Sequence, residues 1–346
     1  MPLKELFGSV DIGTNSTRFL LAEVEEGSGM PRIMIRERRM VITRLGEGVD
    51  ATGKLSGGAL ERTRRALEGF GRALERVGSV AELSVVGTSA ARDAANGGEF
   101  LCMVRDTLGV EPRILSGEEE AFLSFLGATH ELCGNCAGGR PVLVVDIGGG
   151  STELVLGRGE EILFWRSVDV GCVRMSERFL RGDPPRRDEL EAMRREVDER
   201  LRPVLDGLLR LDRGLVVGLA GTVTTLAGMK LGLKEYDGEA IHGSRLTLGE
   251  AREMFGEMAR RDLRERRAYM GMEPGRADII LGGTTVLLSI MEGLGVEEIL
   301  VSEKDILDGL ILEAWHRRRG SELEKKRALE GASGPLYDMG AEERKK

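Results

Sequence analysis

No run of apolar residues in this 346-residue chain is long enough to cross a bilayer, so a helical membrane span is excluded. The opening MPLKELFGSVDIG lacks an apolar signal stretch followed by a small-residue cleavage site, and a cytoplasmic protein is expected. Lysine is scarce, nine of the 50 Lys plus Arg residues, which leaves 41 arginines. Arginine suits bidentate phosphate contacts, although genome composition or heat adaptation explains most of such a bias. The net charge of −8 argues against nonspecific nucleic-acid binding and obliges any polyanionic substrate to meet a local basic patch. His130, His242 and His316 are isolated and show no metal-ligand spacing. Of the four cysteines, only Cys133 and Cys136 form a C-x-x-C. Without a second pair this reads as an incidental loop feature rather than a zinc or redox site. Neither a Walker A loop nor a dinucleotide fingerprint is present.

What remains is an ordinary globular composition, 41% hydrophobic and 31% charged, with length for two domains. One internal comparison organises it. Residues 10–21 read VDIGTNSTRFLL and residues 145–156 read VDIGGGSTELVL, identical at seven of twelve positions. Apolar runs flank both, so each predicts a β-hairpin with a Gly/Ser/Thr turn and an Asp ending its first strand. Two copies about 135 residues apart imply a duplicated domain rather than a solenoid. Between and beyond them, helix and strand signals alternate. An amphipathic helix is expected over 56–77, and S-x-x-E capping at Ser116 opens another. A long helix near 188–211 should be kinked or interrupted at Pro203, and a further helix is expected over 276–293. The expected organisation is α/β domains at 1–132 and 133–319 facing across a cleft, followed by a charged, mobile tail at 320–346.

The hairpin turns carry the chemistry. An Asp at a strand end followed by a tight Gly turn lies beside free backbone N–H groups that bind phosphate oxygens, while the Asp holds Mg²⁺ or its waters. Asp11 and Asp146 are those aspartates. Gly13, Gly148, Gly149 and Gly150 allow close backbone approach, and Thr14, Ser16, Ser151 and Thr152 add hydroxyls. Glu153 stands where the first copy has Arg18, so one hairpin offers an acidic group for a cation and the other a base for phosphate; two solvent-facing strand residues explain the pair equally well. A third turn, GLAGTVTTLAG, runs from strand to helix and presents Gly221 and Thr222 as an anion site. Glu118, Glu119 and Glu120 fill the first turn of one helix, and spacing does not say which faces the cleft.

Together VDIGTNSTRFLL, GTSAARDAAN, ILSGEEEA, VDIGGGSTEL, VGLAGTVTTLAG, AIHGSRLT and PGRADIILGG, in this order, resemble the exopolyphosphatase/guanosine pentaphosphate phosphatase (Ppx/GppA) family from Val10 to about Leu312. The resemblance implies a duplicated actin-like ATPase fold of the sugar kinase, heat-shock chaperone and actin type. It implies Mg²⁺-assisted (or other divalent-cation-assisted) release of terminal phosphate from polyphosphate. Removal of the 5′ phosphate from guanosine pentaphosphate is the alternative, and guanosine tetraphosphate a further ligand. By the same resemblance Glu120 is the general base, and Asp146 and Glu153 face the metal. Phosphate contacts are Asp11, Gly13, Thr14, Asn15, Ser16, Gly148 to Ser151, Gly221 and Thr222, with Arg18, Arg92 and Arg276 along the chain. An actin-like ATPase or kinase, and a non-catalytic alarmone sensor, are weaker readings. Neither nucleic acid nor membrane is an expected partner, and a homodimer is compatible with all of this. One segment departs from the family: many members read S-x-x-G-L-R-x-G where this chain reads SEKDILDG at 302–309, with Asp305 and Leu307 replacing Gly and Arg.

Overall fold

The computed structural model describes residues 4–26, 30–130, 139–159 and 161–320; the Cys133/Cys136 pair and the tail beyond Gly320 lie outside them. In the first half, β1 (Lys4–Ile12), β2 (Ser16–Glu25) and β3 (Arg32–Ile42) form an antiparallel meander. The chain continues through α1 (Val49–Thr52), α2 (Gly57–Val77), β4 (Glu82–Gly87), α3 (Ser89–Asp93), α4 (Gly97–Leu108), β5 (Arg113–Ile114) and α5 (Gly117–Thr129). β4 runs parallel to β1 and β5 parallel to β4, giving the order β3-β2-β1-β4-β5. Residues 56–77 become a helix as their periodicity predicts. Ser56 caps it by accepting from the Ala59 N–H at 3.2 Å, and Leu67 and Phe70 face the sheet. Phe70 stacks on Phe19 of β2 with ring centroids 5.1 Å apart.

The second half repeats the scheme. β6 (Val142–Ile147), β7 (Thr152–Arg158) and β8 (Glu161–Val168) form the meander, followed by α6 (Cys172–Phe179), α7 (Arg187–Leu208), β9 (Leu215–Leu219) and α8 (Ala220–Lys230). Then come α9 (Gly238–Ile241), β10 (Arg245–Thr247), α10 (Leu248–Ala259), α11 (Leu263–Arg267), α12 (Ile280–Leu294), β11 (Glu298–Val301) and α13 (Ile306–Arg318). The sheet order is β10-β11-β9-β6-β7-β8, the first sheet's topology with one extra antiparallel edge strand. This is the duplicated α/β organisation that the repeat predicts, and it agrees with the actin-like ATPase fold that the family resemblance implies. Among the described residues, no helix is long and apolar enough to cross a membrane.

Pro203 does not interrupt its helix, and the helix expected from 276 starts later. α7 runs unbroken through Pro203. Proline removes one backbone bond, but Met193, Val197, Leu201, Leu205 and Leu208 keep the apolar stripe buried against the second core, and burial outweighs that loss. The helix expected from 276 begins at Ile280, because Pro274–Arg276 form a separate 3₁₀ turn that leaves Arg276 ahead of the helix.

The halves exchange helices. α5, from the first half, packs Ala121, Phe125 and Ala128 on Val142, Val144 and Val155 of the second sheet. α13, last in the second half, packs Leu307, Ile311, Leu312 and Trp315 on Phe7, Leu20 and Val24 of the first. The exchanged helices cross with backbones in contact: a Cβ on Gly127 would strike the Asp305 carbonyl, and one on Gly309 the Leu123 carbonyl. Neither carbonyl sits on a flexible side chain that can give way. Gly127→Ala and Gly309→Ala should each lower stability by about 1–3 kcal/mol or more. Gly98→Ala, whose Cβ meets nothing within 4 Å, should be near neutral in the same urea titration.

Candidate active site

The two acidic turns meet. β1 and β2 pair Asp11 with Arg18, and β6 and β7 pair Asp146 with Glu153 at the equivalent register. Each hairpin closes identically: the Gly13 N–H donates to the Ser16 carbonyl and the Gly148 N–H to the Ser151 carbonyl, both at 3.0 Å. Neighbouring backbone fixes the turns further, with Arg44 N–H donating to the Asn15 carbonyl at 2.8 Å and Cys172 N–H to the Gly148 carbonyl at 3.0 Å. Glycine is required where they touch. A Cβ on Gly149 would lie 2.6 Å from the Thr14 side chain, and one on Gly150 2.6 Å from Ser89 Oγ. Thr14 and Ser89 hydroxyls hydrogen-bond at 2.8 Å, tying the first turn to the start of α3.

Between the turns lies a cleft of about 60 Å³. Asp11, Gly13, Thr14, Asn15, Ser16, Arg18, Glu120, Asp146, Gly148, Gly149, Gly221 and Arg276 line it, together with Thr88, Ser89 and Cys172. The remaining candidates do not line it. Arg92 donates to Glu120 Oε2 at 3.1 Å and to the Leu115 carbonyl at 2.8 Å, so it holds Glu120 in place. Glu153 accepts from Ser167 Oγ at 2.7 Å and is buried, as are Ser151 and Thr222. The alternative of solvent-facing strand residues is thereby removed for Glu153, and Arg18 lines the cleft.

The three glutamates opening α5 separate by environment. Glu119 completes a capping box, accepting from the Ser116 N–H at 2.9 Å. Glu118 is half-buried outside the cleft lining, whereas Glu120 is buried and lines it. One turn on, Ser124 donates to Asp146 Oδ2 at 2.6 Å. This four-residue spacing, Glu120 to Ser124, places both polar groups on one helix face and is the signal by which the sequence could have disclosed Ser124. Thr88 and Ser89 stand within the GTSAARDAAN motif without having been singled out, and nothing in the sequence marked Cys172.

Charge in the cleft is unbalanced. Burial pushes Glu120 up to about 8, against the opposing pull of Arg92 and with the help of Asp146 and Asp11. Burial likewise pushes Asp146 up to about 6, although Ser124 and Arg18 favour its ionised form. Asp11 is raised by burial against its Arg18 partner, and Glu153 is raised far more by burial and by Glu120 and Asp146. Arg18 is fully committed, bound to Asp11 (Nε to Oδ2 at 2.9 Å) and to Asp305. Arg276 is not: its guanidinium lies over Gly221 and meets the Met40 sulfur at 3.1 Å, with no carboxylate partner among the described residues. Burial depresses it, as expected of a cation lacking a counter-charge.

A divalent cation fits this donor set. Asp11 Oδ1 is buried without a hydrogen-bond partner, and Asp146 stands across the cleft from it. Among the described residues, no group of three or more His, Cys, Asp or Glu converges on one point. A closed, all-protein cage of the calcium or zinc kind is therefore absent there, and the arrangement suits Mg²⁺, which keeps waters and substrate oxygens beside one or two carboxylates.

Comparison with known proteins agrees with this geometry. A profile of the Ppx/GppA phosphatase family matches residues 20–318. A Mycobacterium tuberculosis protein named exopolyphosphatase 2 is 42% identical over 319 residues, which cover 88% of this chain and 97% of that one. Among solved structures, an exopolyphosphatase-like protein is 34% identical with a TM-score of 0.83, covering 91% of this chain and 99% of its own. A Ppx/GppA family member from Aquifex aeolicus is 29% identical with a TM-score of 0.74, covering 91% and 99%. With its two mirrored turns, its exchanged helices and matches along nearly its whole length, the chain belongs to the Ppx/GppA phosphatase family.

Proposed function

We propose that the protein is an exopolyphosphatase that hydrolyses the terminal phosphoanhydride bond of inorganic polyphosphate with the help of Mg²⁺. The observation that carries this reading is a buried carboxylate, Glu120, lining a cleft that also holds the two Gly/Ser/Thr turns and an arginine, Arg276, without a carboxylate partner among the described residues. The Gly13–Ser16 and Gly148–Ser151 backbones and Arg276 would hold the terminal phosphoryl oxygens. Asp146 and Asp11 Oδ1 would hold the cation, with Glu153, bound by Ser167, behind the wall. When bound, the cation would neutralise the phosphoryl oxygens as charge develops on them. Glu120, fixed by Arg92, orients a water in line with the terminal phosphorus and takes its proton. The new P–O bond forms as the bond to the bridging oxygen breaks, releasing orthophosphate and a chain one unit shorter.

A second reading, hydrolysis of guanosine pentaphosphate, is favoured by one observation. A groove of about 1100 Å³ adjoins the cleft at Arg18 and Arg276, and Ile35, Met40, Leu233 and the 58%-exposed Tyr236 line part of it, a surface suited to a nucleoside. Phosphate release from the two substrates, each with Mg²⁺, separates the readings.

Glu120→Gln should reduce phosphate release by about 10²–10⁴-fold while polyphosphate binding persists. Equal release by both proteins would remove Glu120 from the role of base. The base works ionised, so kcat/KM should climb with pH to a plateau, its inflection at or below about 8. A carboxyl whose pKa is raised on folding binds its proton more tightly in the native state. Its burial therefore costs stability progressively as pH rises from the ordinary glutamate range through about 8. Glu120→Gln should accordingly raise Tm at pH 8.5 more than at pH 5, measured without divalent cation. Arg276→Gln should raise KM for polyphosphate more than it lowers Tm-derived stability, since the native arginine has no carboxylate partner among the described residues to lose.

A further inference from the structure

Arg18 and Arg276 line both the cleft and the large groove, so they stand at the junction a phosphate chain must cross to extend from one into the other. They differ in availability. Arg276 has no carboxylate partner among the described residues, whereas Arg18 is clamped between Asp11 on its own hairpin and Asp305 at the N-cap of α13. Asp305 is buried: Oδ1 accepts from the Leu307 N–H at 2.9 Å, capping the helix, and pairs more loosely with Arg38 at 3.8 Å, while Oδ2 takes the Arg18 guanidinium. A glycine here would supply neither the cap nor the charge. The groove beyond is equally uninviting to a polyanion. Arg38 is held by Asp308 and by the Glu303 carbonyl, Lys304 pairs with Asp308, and Arg39 pairs with Glu37. Six acidic residues, Glu235, Asp237, Glu239, Glu273, Glu303 and Asp305, face this space.

We propose that Asp305 is a specificity-determining residue: its ion pair with Arg18 withholds that guanidinium from the phosphates that follow the reacting end, and so disfavours long chains. The inference rests on the exopolyphosphatase reading for its substrate and on the geometry for its direction. A short chain engages the turns and Arg276 alone and does not compete with Asp305. A long chain places further phosphates against Asp305 and gains from Arg18 only by displacing a carboxylate already bound to it.

The test uses the whole chain. Asp305→Asn keeps a side-chain oxygen for the cap but loses the charge; Asp305→Ser does the same with a smaller group and serves if the first variant folds poorly. With long-chain polyphosphate and tripolyphosphate as probes, the ratio of kcat/KM for long over short should rise about tenfold in Asp305→Asn, through a lower KM. The gain should vanish when Arg18→Gln is combined with it, since both act through one ion pair. An unchanged or lower ratio in a variant of native Tm, or a gain that persists undiminished on the Arg18→Gln background, overturns the proposal. If the wild type released no phosphate from either chain, the exopolyphosphatase reading would fail by itself. Calorimetric binding of the same two probes would then decide on Asp305, tighter long-chain binding by Asp305→Asn supporting it and equal binding refuting it.

Discussion

Four carboxyl groups buried around one cleft impose the constraint on which the rest of the site depends. Burial raises the proton affinity of Asp11, Glu120, Asp146 and Glu153, and acidic neighbours add to it: Asp305 for Asp11, Asp305 and Asp11 for Asp146, Asp146 and Asp11 for Glu120, and Glu120 and Asp146 for Glu153. Among the described residues, only Asp11 and Glu120 of these four have arginine partners, Arg18 in the cleft lining and Arg92 behind its wall. A fold optimised for stability alone would not gather such groups, because unpaired buried charge is among the costliest things a native state can hold. The arrangement makes sense for a protein whose missing positive charge arrives with its ligand.

The scaffold keeps these groups in place by making the halves interdependent. Glu120 reaches the cleft on α5, a helix encoded in the first half but packed on the second sheet. Asp305 reaches Arg18 from α13, encoded last but packed on the first sheet. Their crossing is backbone against backbone at Gly127 and Gly309. The proposed base and the proposed latch are thus carried by the two elements that bind the halves together.

Much of this was legible in the sequence because repetition is legible. Aligning VDIGTNSTRFLL with VDIGGGSTELVL gives the two hairpins, the two aspartates and the duplicated fold without any coordinates. Less visible were elements whose stability comes from partners rather than from their own pattern. β3, RIMIRERRMVI, is an arginine-rich edge strand held by β2, and no alternation of apolar residues announces it. Periodicity could not choose among Glu118, Glu119 and Glu120, since capping, partial exposure and burial are decided by what lies opposite each one. The resemblance puts Glu153 at the metal and Arg92 along the phosphate chain, whereas both stand behind the cleft wall, a distinction of one layer that a motif does not contain. The change to Asp305 was visible as a departure, but its partner Arg18 lies 287 positions away.

The helix exchange also orders events during synthesis. When the first half has left the ribosome, the face of its sheet formed by Phe7, Leu20 and Val24 still awaits Trp315 and its neighbours. Until α13 emerges, that greasy surface has no cover of its own, and the nascent chain must remain shielded or soluble while the 177 codons from Thr129, the end of α5, to Ile306, the start of α13, are translated. A fold that shares its helices in this way gains a rigid cleft at the expense of a vulnerable adolescence.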